Sequence, residues 1–312
     1  MGGFNTFARM GQLHMAIYAA IETDMKLLED DASLLDEINF EKRVDAIDFI
    51  EFQIIDRLSS LETSAPAAEL VIRAELLKGM LLNVDTTLFS TLRENIKNRV
   101  YSGGAFREMV RHYVQSCFET SVQQGRGYTN LDIFVSALLH EYPAPEPIME
   151  PKPGMVFYQK TPAKVIFELA AALGGDDVLA DIGSGLGQLA LLVNLLSGAA
   201  TIGVEYEPTY CKYATSCADQ LGLPNVTFIN GDALDADYSR VTAVFMYTPF
   251  MGQMLQQMLD KLYKRMHERA MRIFSYGPCT PVVEAQPWLL CVNNHATSAD
   301  TLCEFRSNFP SE

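Results

Sequence analysis

The chain reads as an α/β protein carrying an all-helical N-terminal domain, and three observations support that reading. Apolar residues recur at helical spacing through the first 140 residues, strand and helix patterns alternate from residue 161 onward, and five prolines separate the two regimes. Alternation of this kind predicts an open, mostly parallel sheet with helices on both faces. Ligands of such sheets bind at the carboxyl ends of the strands.

In the first region Ile47, Ile50, Ile54, Leu58 and Leu61 step along one helical face. Similar periodicity covers 5–22, 67–82, 86–100, 104–123 and 129–141, with breaks at Ser64-Ala65-Pro66, Asn83-Val84-Asp85 and Ser102-Gly103-Gly104. The expected helical cap or substrate domain spans 1–142. Pro143, Pro145, Pro147, Pro151 and Pro153 exclude a helix interior or central strand, so 143–154 reads as an extended linker. The second domain is expected over 155–312. Thr161-Pro162 opens a helix that Gly174-Gly175 ends. Strands follow at 178–181, 201–205, 226–229, 242–247 and 272–276, with helices at 187–197, 208–221 and 250–266. Two further strands are expected around 288–292 and 303–306.

Composition narrows the partners. The 312 residues are 48% apolar and 20% charged, with a net charge of −15. Both halves are acidic and neither holds a Lys/Arg cluster, which argues against nucleic acid and favours a neutral or cationic small-molecule substrate. No apolar run approaches the length of a membrane span. Six cysteines without CxxC spacing read as reduced thiols of a cytoplasmic protein, with no metal site. The N-terminus lacks a secretory layout; Gly2 and Thr6 fit a loose myristoylation pattern, but the start of a helical domain is the stronger expectation. Asn225-Val226-Thr227 is a glycosylation sequon expected within a buried strand. A homodimer is compatible with the sequence, which does not set the oligomeric state.

The stretch Asp181-Ile182-Gly183-Ser184-Gly185-Leu186-Gly187-Gln188 follows the first strand of the second domain. A dinucleotide fingerprint needs a small residue at its sixth position, where Gln188 stands; the third glycine comes one residue early at Gly187. Asp181 would repel a pyrophosphate but could accept from an ammonium group. Glu205 ends the second strand, where a carboxylate can accept both ribose hydroxyls. Asp232, in Asn230-Gly231-Asp232-Ala233, is placed either to accept from an adenine amine or to cap a helix. Together these residues point to S-adenosyl-L-methionine.

They resemble the class I S-adenosylmethionine-dependent methyltransferases, over residues 155 to about 306. The resemblance implies a Rossmann-like seven-stranded sheet ending in an antiparallel hairpin. Within that superfamily VFYQKTPAKVI, DIGSGLGQ, IGVE, NGDAL and VFMYTPFMGQML are most similar to the non-SET histone lysine methyltransferases related to the telomeric-silencing disruptor. By that likeness Tyr158 and Thr161 line the cofactor pocket and Gln188 helps hold the methionine end. Ser184, Tyr206, Ala233 and Tyr247 complete the expected cofactor set. The chain departs from that family in Tyr247-Thr248-Pro249-Phe250, where the family is Asn-rich, and in lacking its basic chromatin-binding tract.

On the acceptor side Tyr247 and Tyr158 are the candidate catalytic residues. Tyr247 would orient an acceptor, Phe250 form an apolar wall, Pro249 fix the turn and Tyr158 close over the cofactor; the alternative is that these are core or hinge aromatics. No general base stands out, although His295 and Glu284 lie near the last strands. His14, His112 and His140 read as structural. Tyr101 to Arg107 reads as a hinge, with Arg107 or Arg111 available for a substrate carboxylate. The leading expectation is methyl transfer to nitrogen or oxygen of a small molecule. Alternatives are protein lysine methylation, nicotianamine-synthase-like aminocarboxypropyl transfer, and a non-enzymatic partner-binding subunit with a degenerate pocket.

Overall fold

The computed structural model describes residues 3–59, 65–116, 129–292 and 300–309. Two compact units make up the chain: Met1–Thr91 with Val110–Ser121, and Leu92–Met109 with Val122–Glu312. The division therefore differs from the 1–142/155–312 split that the linker suggests.

The first unit is helical. Helix α1 (Gly3–Glu29) leads through a short 3-10 turn (Ala32–Leu35) to α2 (Phe40–Phe49), which continues through one π-turn (Ile50–Ile55) into α3 (Asp56–Ser59). Helix α4 (Ala65–Lys97) crosses the unit boundary after Thr91, and α5 (Gly104–Tyr113) crosses it again. Ile21, Met25, Ile50, Ile54 and Leu81 are fully buried and form the core. Helix α4 runs straight through Asn83-Val84-Asp85, where the sequence pattern suggested a break. Asp85 does not cap a helix there; its carboxylate accepts from Arg43 Nε at 2.7 Å. The hydroxyls of Thr86 and Thr87 bond back to the carbonyls of Leu82 and Asn83, so these polar residues are satisfied inside the helix.

Arg43 is fully buried and also donates to the carbonyls of Leu34, Asp36 and Glu37. It ties the 3-10 turn to α2 and α4. Replacing Arg43 by Ala leaves a half-buried carboxylate and three carbonyls without their donor. We expect Arg43→Ala to cost about 3–5 kcal/mol in urea unfolding of the helical unit, with Arg43→Ala/Asp85→Ala less unstable than the sum of the single changes.

The second unit is built on a seven-stranded sheet in the order β3-β2-β1-β4-β5-β7-β6. Its strands are β1 (Val178–Ile182), β2 (Ala200–Glu205), β3 (Val226–Asn230), β4 (Ala243–Tyr247), β5 (Arg272–Tyr276), β6 (Leu289–Cys291) and β7 (Cys303–Ser307). The first five are parallel and β7 runs antiparallel between β5 and β6. This is the Rossmann-like α/β arrangement expected. Helices α6 (Asn130–Leu139), α7 (Ala163–Ala171), α8 (Gln188–Ser197), α9 (Pro208–Gln220), α10 (Gly252–Glu268) and the short α11 (Thr280–Glu284) accompany it. The Asp132 carboxylate completes the α6 capping box and also accepts from Ala163 N at 2.7 Å, joining the starts of α6 and α7. Strand β3 is an edge strand with Asn225 and Thr227 exposed, so the sequon does not lie in a buried strand. No described helix is long and apolar enough to cross a membrane. Strand order reverses at β1, between β2 and β4, and the carboxyl ends of these strands frame a cleft.

Candidate active site

Parallel register brings Asp181, near the end of β1, beside Gly203, and Glu205, at the end of β2, beside Asn230. The glycine loop turns sharply between them: Gly183, Gly185 and Gly187 all take left-handed φ, at 75°, 53° and 82°. Gly187 has a packing role. A Cβ there would lie 2.6 Å from Phe228 Cζ and 2.8 Å from Ala214 Cβ, so the early third glycine lets α8 start against β3 and α9. Gly185 has a different neighbour. A Cβ on it would lie 2.1 Å from Tyr158 Cε2, because the Tyr158 ring rests on the loop backbone.

The two acids differ in how they are satisfied. Glu205 is buried, yet its Oε2 accepts from Gly185 N at 2.7 Å and its Oε1 from Glu207 N at 2.8 Å. Burial raises its pKa and these amides oppose the rise. Asp181 is only 5% exposed, and among the described residues none donates a hydrogen bond to it. Burial, and then the Glu205 charge, push its carboxyl up to about 7. Two further polar atoms of the cleft, Ser184 Oγ and Gln188 Oε1, are also buried without a partner, while Gln188 Nε2 donates to Thr161 O at 3.2 Å.

Of the residues expected from the sequence, Tyr158, Thr161, Asp181, Gly183, Ser184, Gln188, Glu205, Tyr206, Ala233 and Tyr247 line this one cleft. Gly185 lies under the Tyr158 ring instead of in the lining. Asp232 is also outside it: one carboxylate oxygen accepts from Lys152 Nζ at 2.7 Å and the other from Leu234 N at 2.9 Å. Burial alone would raise its pKa, but the Lys152 ammonium and the Leu234 amide bring it below the ordinary value. Its neighbours Gly231 and Ala233 do line the cleft. Arg107 stacks over the Phe167 ring at 5.3 Å and, like Glu284, is not in the lining; Arg111 belongs to the helical unit. His295 lies outside the described residues.

The sequence reading missed the main supporting carboxylate and misjudged the proline-rich segment. Glu207 Oε2 accepts from the amides of Ile148 and Met149, at 3.0 and 2.7 Å, while Oε1 accepts from Thr209 N and Oγ1. Burial would raise this carboxyl; four hydrogen bonds hold it below its usual range. Farther along, Lys152 pairs with Asp232 and sits 5.0 Å above the Tyr206 ring; Met251 N donates to Gly154 O at 2.7 Å and Val156 N to Pro249 O at 3.2 Å. Residues 146–156 are thus a strap that forms a wall of the cleft through Pro147, Met149 and Pro151, not a linker. Acid, proline and threonine at 207–209 form a helix N-cap signature from which Glu207 could have been found.

The turn from Tyr247 to Phe250 is held from the end of β5. Thr248 takes a left-handed φ of 44°, which a β-branched residue adopts only under constraint. Its amide donates to Cys279 Sγ at 3.3 Å, and Cys279 N donates back to Thr248 Oγ1 at 3.1 Å. Beside it the Tyr247 and Tyr276 rings lie 5.0 Å apart, and a Cβ on Gly277 would meet Tyr247 Cε2 at 2.7 Å. Burial raises the Tyr247 pKa, with a smaller contribution from Asp300.

No protein-family model matches the chain, and no curated protein matches it. Among solved structures it is similar to an RNA methyltransferase from Salinibacter ruber in complex with S-adenosyl-L-homocysteine, at 24% identity over 49% of this chain and 95% of that one, with a TM-score of 0.35. It is also similar to the precorrin-6y C5,15-methyltransferase from Geobacter metallireducens GS-15, at 19% identity over 48% and 87% with a TM-score of 0.33. A third is an rRNA methylase from Streptococcus thermophilus, at 15% identity over 46% and 94% with a TM-score of 0.34.

The raised Asp181 pKa makes a stability prediction. The folded chain holds this proton up to about 7, whereas an ordinary carboxyl releases it near 3.8, so ionisation works against the fold between those values. Wild type should therefore lose stability relative to Asp181→Asn as pH rises from about 4 to 7, and the variant should melt higher above 7. Parallel melting curves that stay equally spaced across this range would contradict the assignment.

Proposed function

We propose that the chain binds S-adenosyl-L-methionine in this cleft and transfers its methyl group to a nitrogen or oxygen of a small-molecule acceptor. The observation that carries the reading is the buried Asp181 carboxylate, without a donor among the described residues, at a strand end beside a left-handed glycine loop. Such a group suits a cationic α-ammonium and disfavours a phosphate. Ser184 Oγ and Gln188 Oε1, both buried and without partners, add hydrogen-bonding atoms for the amino-acid end. Glu205 holds the ribose hydroxyls on the lone pairs that the Gly185 and Glu207 amides do not use. Tyr206 and Ala233 flank the nucleoside, and Tyr158 and Thr161 close the pocket from the strap side. Asp232 contributes by holding Lys152.

When bound, S-adenosyl-L-methionine would supply an electrophilic sulfonium methyl group for an acceptor lone pair. The protein's task is then alignment and exclusion of water. Tyr247 orients the acceptor with its hydroxyl, while Pro249 and Phe250 form the dry wall, on a turn that Thr248 and Cys279 keep in place. A cleft walled by the chain's own strap supports a small acceptor over a protein lysine.

Calorimetry with S-adenosyl-L-homocysteine tests the cofactor assignment. Gly185→Arg, which drives a side chain into Tyr158, and Asp181→Ala should each weaken binding at least tenfold. Because ammonium binding favours ionised Asp181, affinity should fall by up to about tenfold per pH step below about 7. Unchanged affinity in both variants would overturn the reading. Product analysis separates the chemistries: methyl transfer leaves S-adenosylhomocysteine, whereas aminocarboxypropyl transfer leaves methylthioadenosine.

A further inference from the structure

A second concavity, of about 390 Å³, borders the same two chain segments as the cofactor cleft but shares no lining residue with it. Lys160 reaches it from the segment that carries Tyr158 and Thr161, and Leu186 from the glycine loop. Its size falls within the roughly 300–1,000 Å³ range of small-molecule sites. Ile133, Tyr142, Pro143, Leu186 and Tyr213 give it an apolar and aromatic body. Its polar groups gather at one place, the C-terminal end of α6: Ser136, His140 and Lys160.

Two cations, Arg93 and Lys160, donate at that end. Arg93 donates to the carbonyls of Ala137 and Leu138, at 2.5 and 3.0 Å, and Lys160 Nζ to Ser136 Oγ at 2.9 Å. The nearby Glu141 does not line the cavity. His140 caps the helix, with its ring tilted against Tyr213 at 5.5 Å and its Nδ1 3.6 Å from Cys217 Sγ. Burial, then Lys160 and Arg93, push the imidazole down to about 4, so it is neutral; burial pushes the Cys217 thiol up to about 11, so it keeps its proton. The Cys217 sulfur occupies Nδ1, and Nε2 is buried with no partner among the described residues. A carboxylate would draw the proton of the neutral ring to Nε2, so an orphaned imidazole nitrogen near the Lys160 ammonium, on the lining of an apolar concavity, suits an anionic head on an apolar body.

We propose that this cavity is a second ligand site that takes a small organic carboxylate, with its head on Lys160 and His140 Nε2 and its apolar body against Tyr142, Pro143, Leu186 and Tyr213. It goes beyond the methyltransferase reading and does not depend on it. An occupant would bear on the segment that presents Tyr158 and Thr161 to the cofactor cleft.

Calorimetry on the full chain, with no cofactor present, tests the site with benzoate and phenylacetate as probes and benzyl alcohol and inorganic phosphate as controls. The expected result is one-to-one binding of at least one carboxylate, with both controls at least tenfold weaker. Lys160→Met should lose at least tenfold in carboxylate affinity, whereas Lys160→Arg should retain it. The proposal is overturned if neither carboxylate binds, if benzyl alcohol binds equally well, or if a Lys160→Met protein with unchanged melting temperature binds as wild type. S-adenosyl-L-homocysteine binding, measured separately on wild type, reports on the other cleft alone.

Discussion

Two carboxylates buried at the ends of adjacent parallel strands are the constraint around which the second unit is arranged. Placing Asp181 and Glu205 there is costly, and the structure compensates them unequally. Glu205 receives two backbone amides, one from the glycine loop and one from its own strand end, so its charge also fixes the loop. Asp181 receives none. A carboxyl moved from 3.8 to about 7 costs roughly 4 kcal/mol to ionise in place. A cation placed beside it would recover part of that cost.

The same logic of carboxylate and amide builds the wall opposite. The prolines at 143, 145, 147, 151 and 153 leave an extended segment with few amides, and Glu207 takes two of those available, at Ile148 and Met149. Lys152 on Asp232 and the Gly154–Met251 bond secure the remainder. Proline thus supplies stiffness and Glu207 supplies position. One residue, Glu207, serves as helix cap, strap anchor and neighbour of Glu205, and links the edge of the sheet to the cleft wall.

The parts legible in the sequence were those set by local chemistry. Strand patterns, the glycine loop and the strand-end acids can be read because a parallel strand leads straight into its own ligand loop. Eight of the expected site residues line one cleft for that reason, while Tyr158 and Thr161, expected from the resemblance, reach it from the segment before α7. Long-range pairing was not legible. Asp85 looks like a helix break until Arg43, 42 positions away, is seen against it, and Asp232 looks like an adenine partner until Lys152, 80 positions away, occupies it. The strap reads as a linker for the same reason, since its tethers lie on other elements. His140, read as structural, is indeed a helix cap, but its buried Nε2 could be seen only in three dimensions.

Thr248 shows how the turn from Tyr247 to Phe250 acquires a fixed shape. A threonine at φ 44° would relax in isolation, and it is held by a reciprocal pair of bonds to Cys279, itself buried with its thiol against the Met246 and Tyr276 carbonyls. Gly277, with no side chain, leaves room for the Tyr247 ring. The turn that presents Tyr247 and Pro249 is therefore specified by residues about 30 positions downstream, at the end of β5. Pro249 in turn packs on Gly183, where a Cβ would approach it to 3.1 Å. Loop, turn and strand ends therefore constrain one another across the cleft.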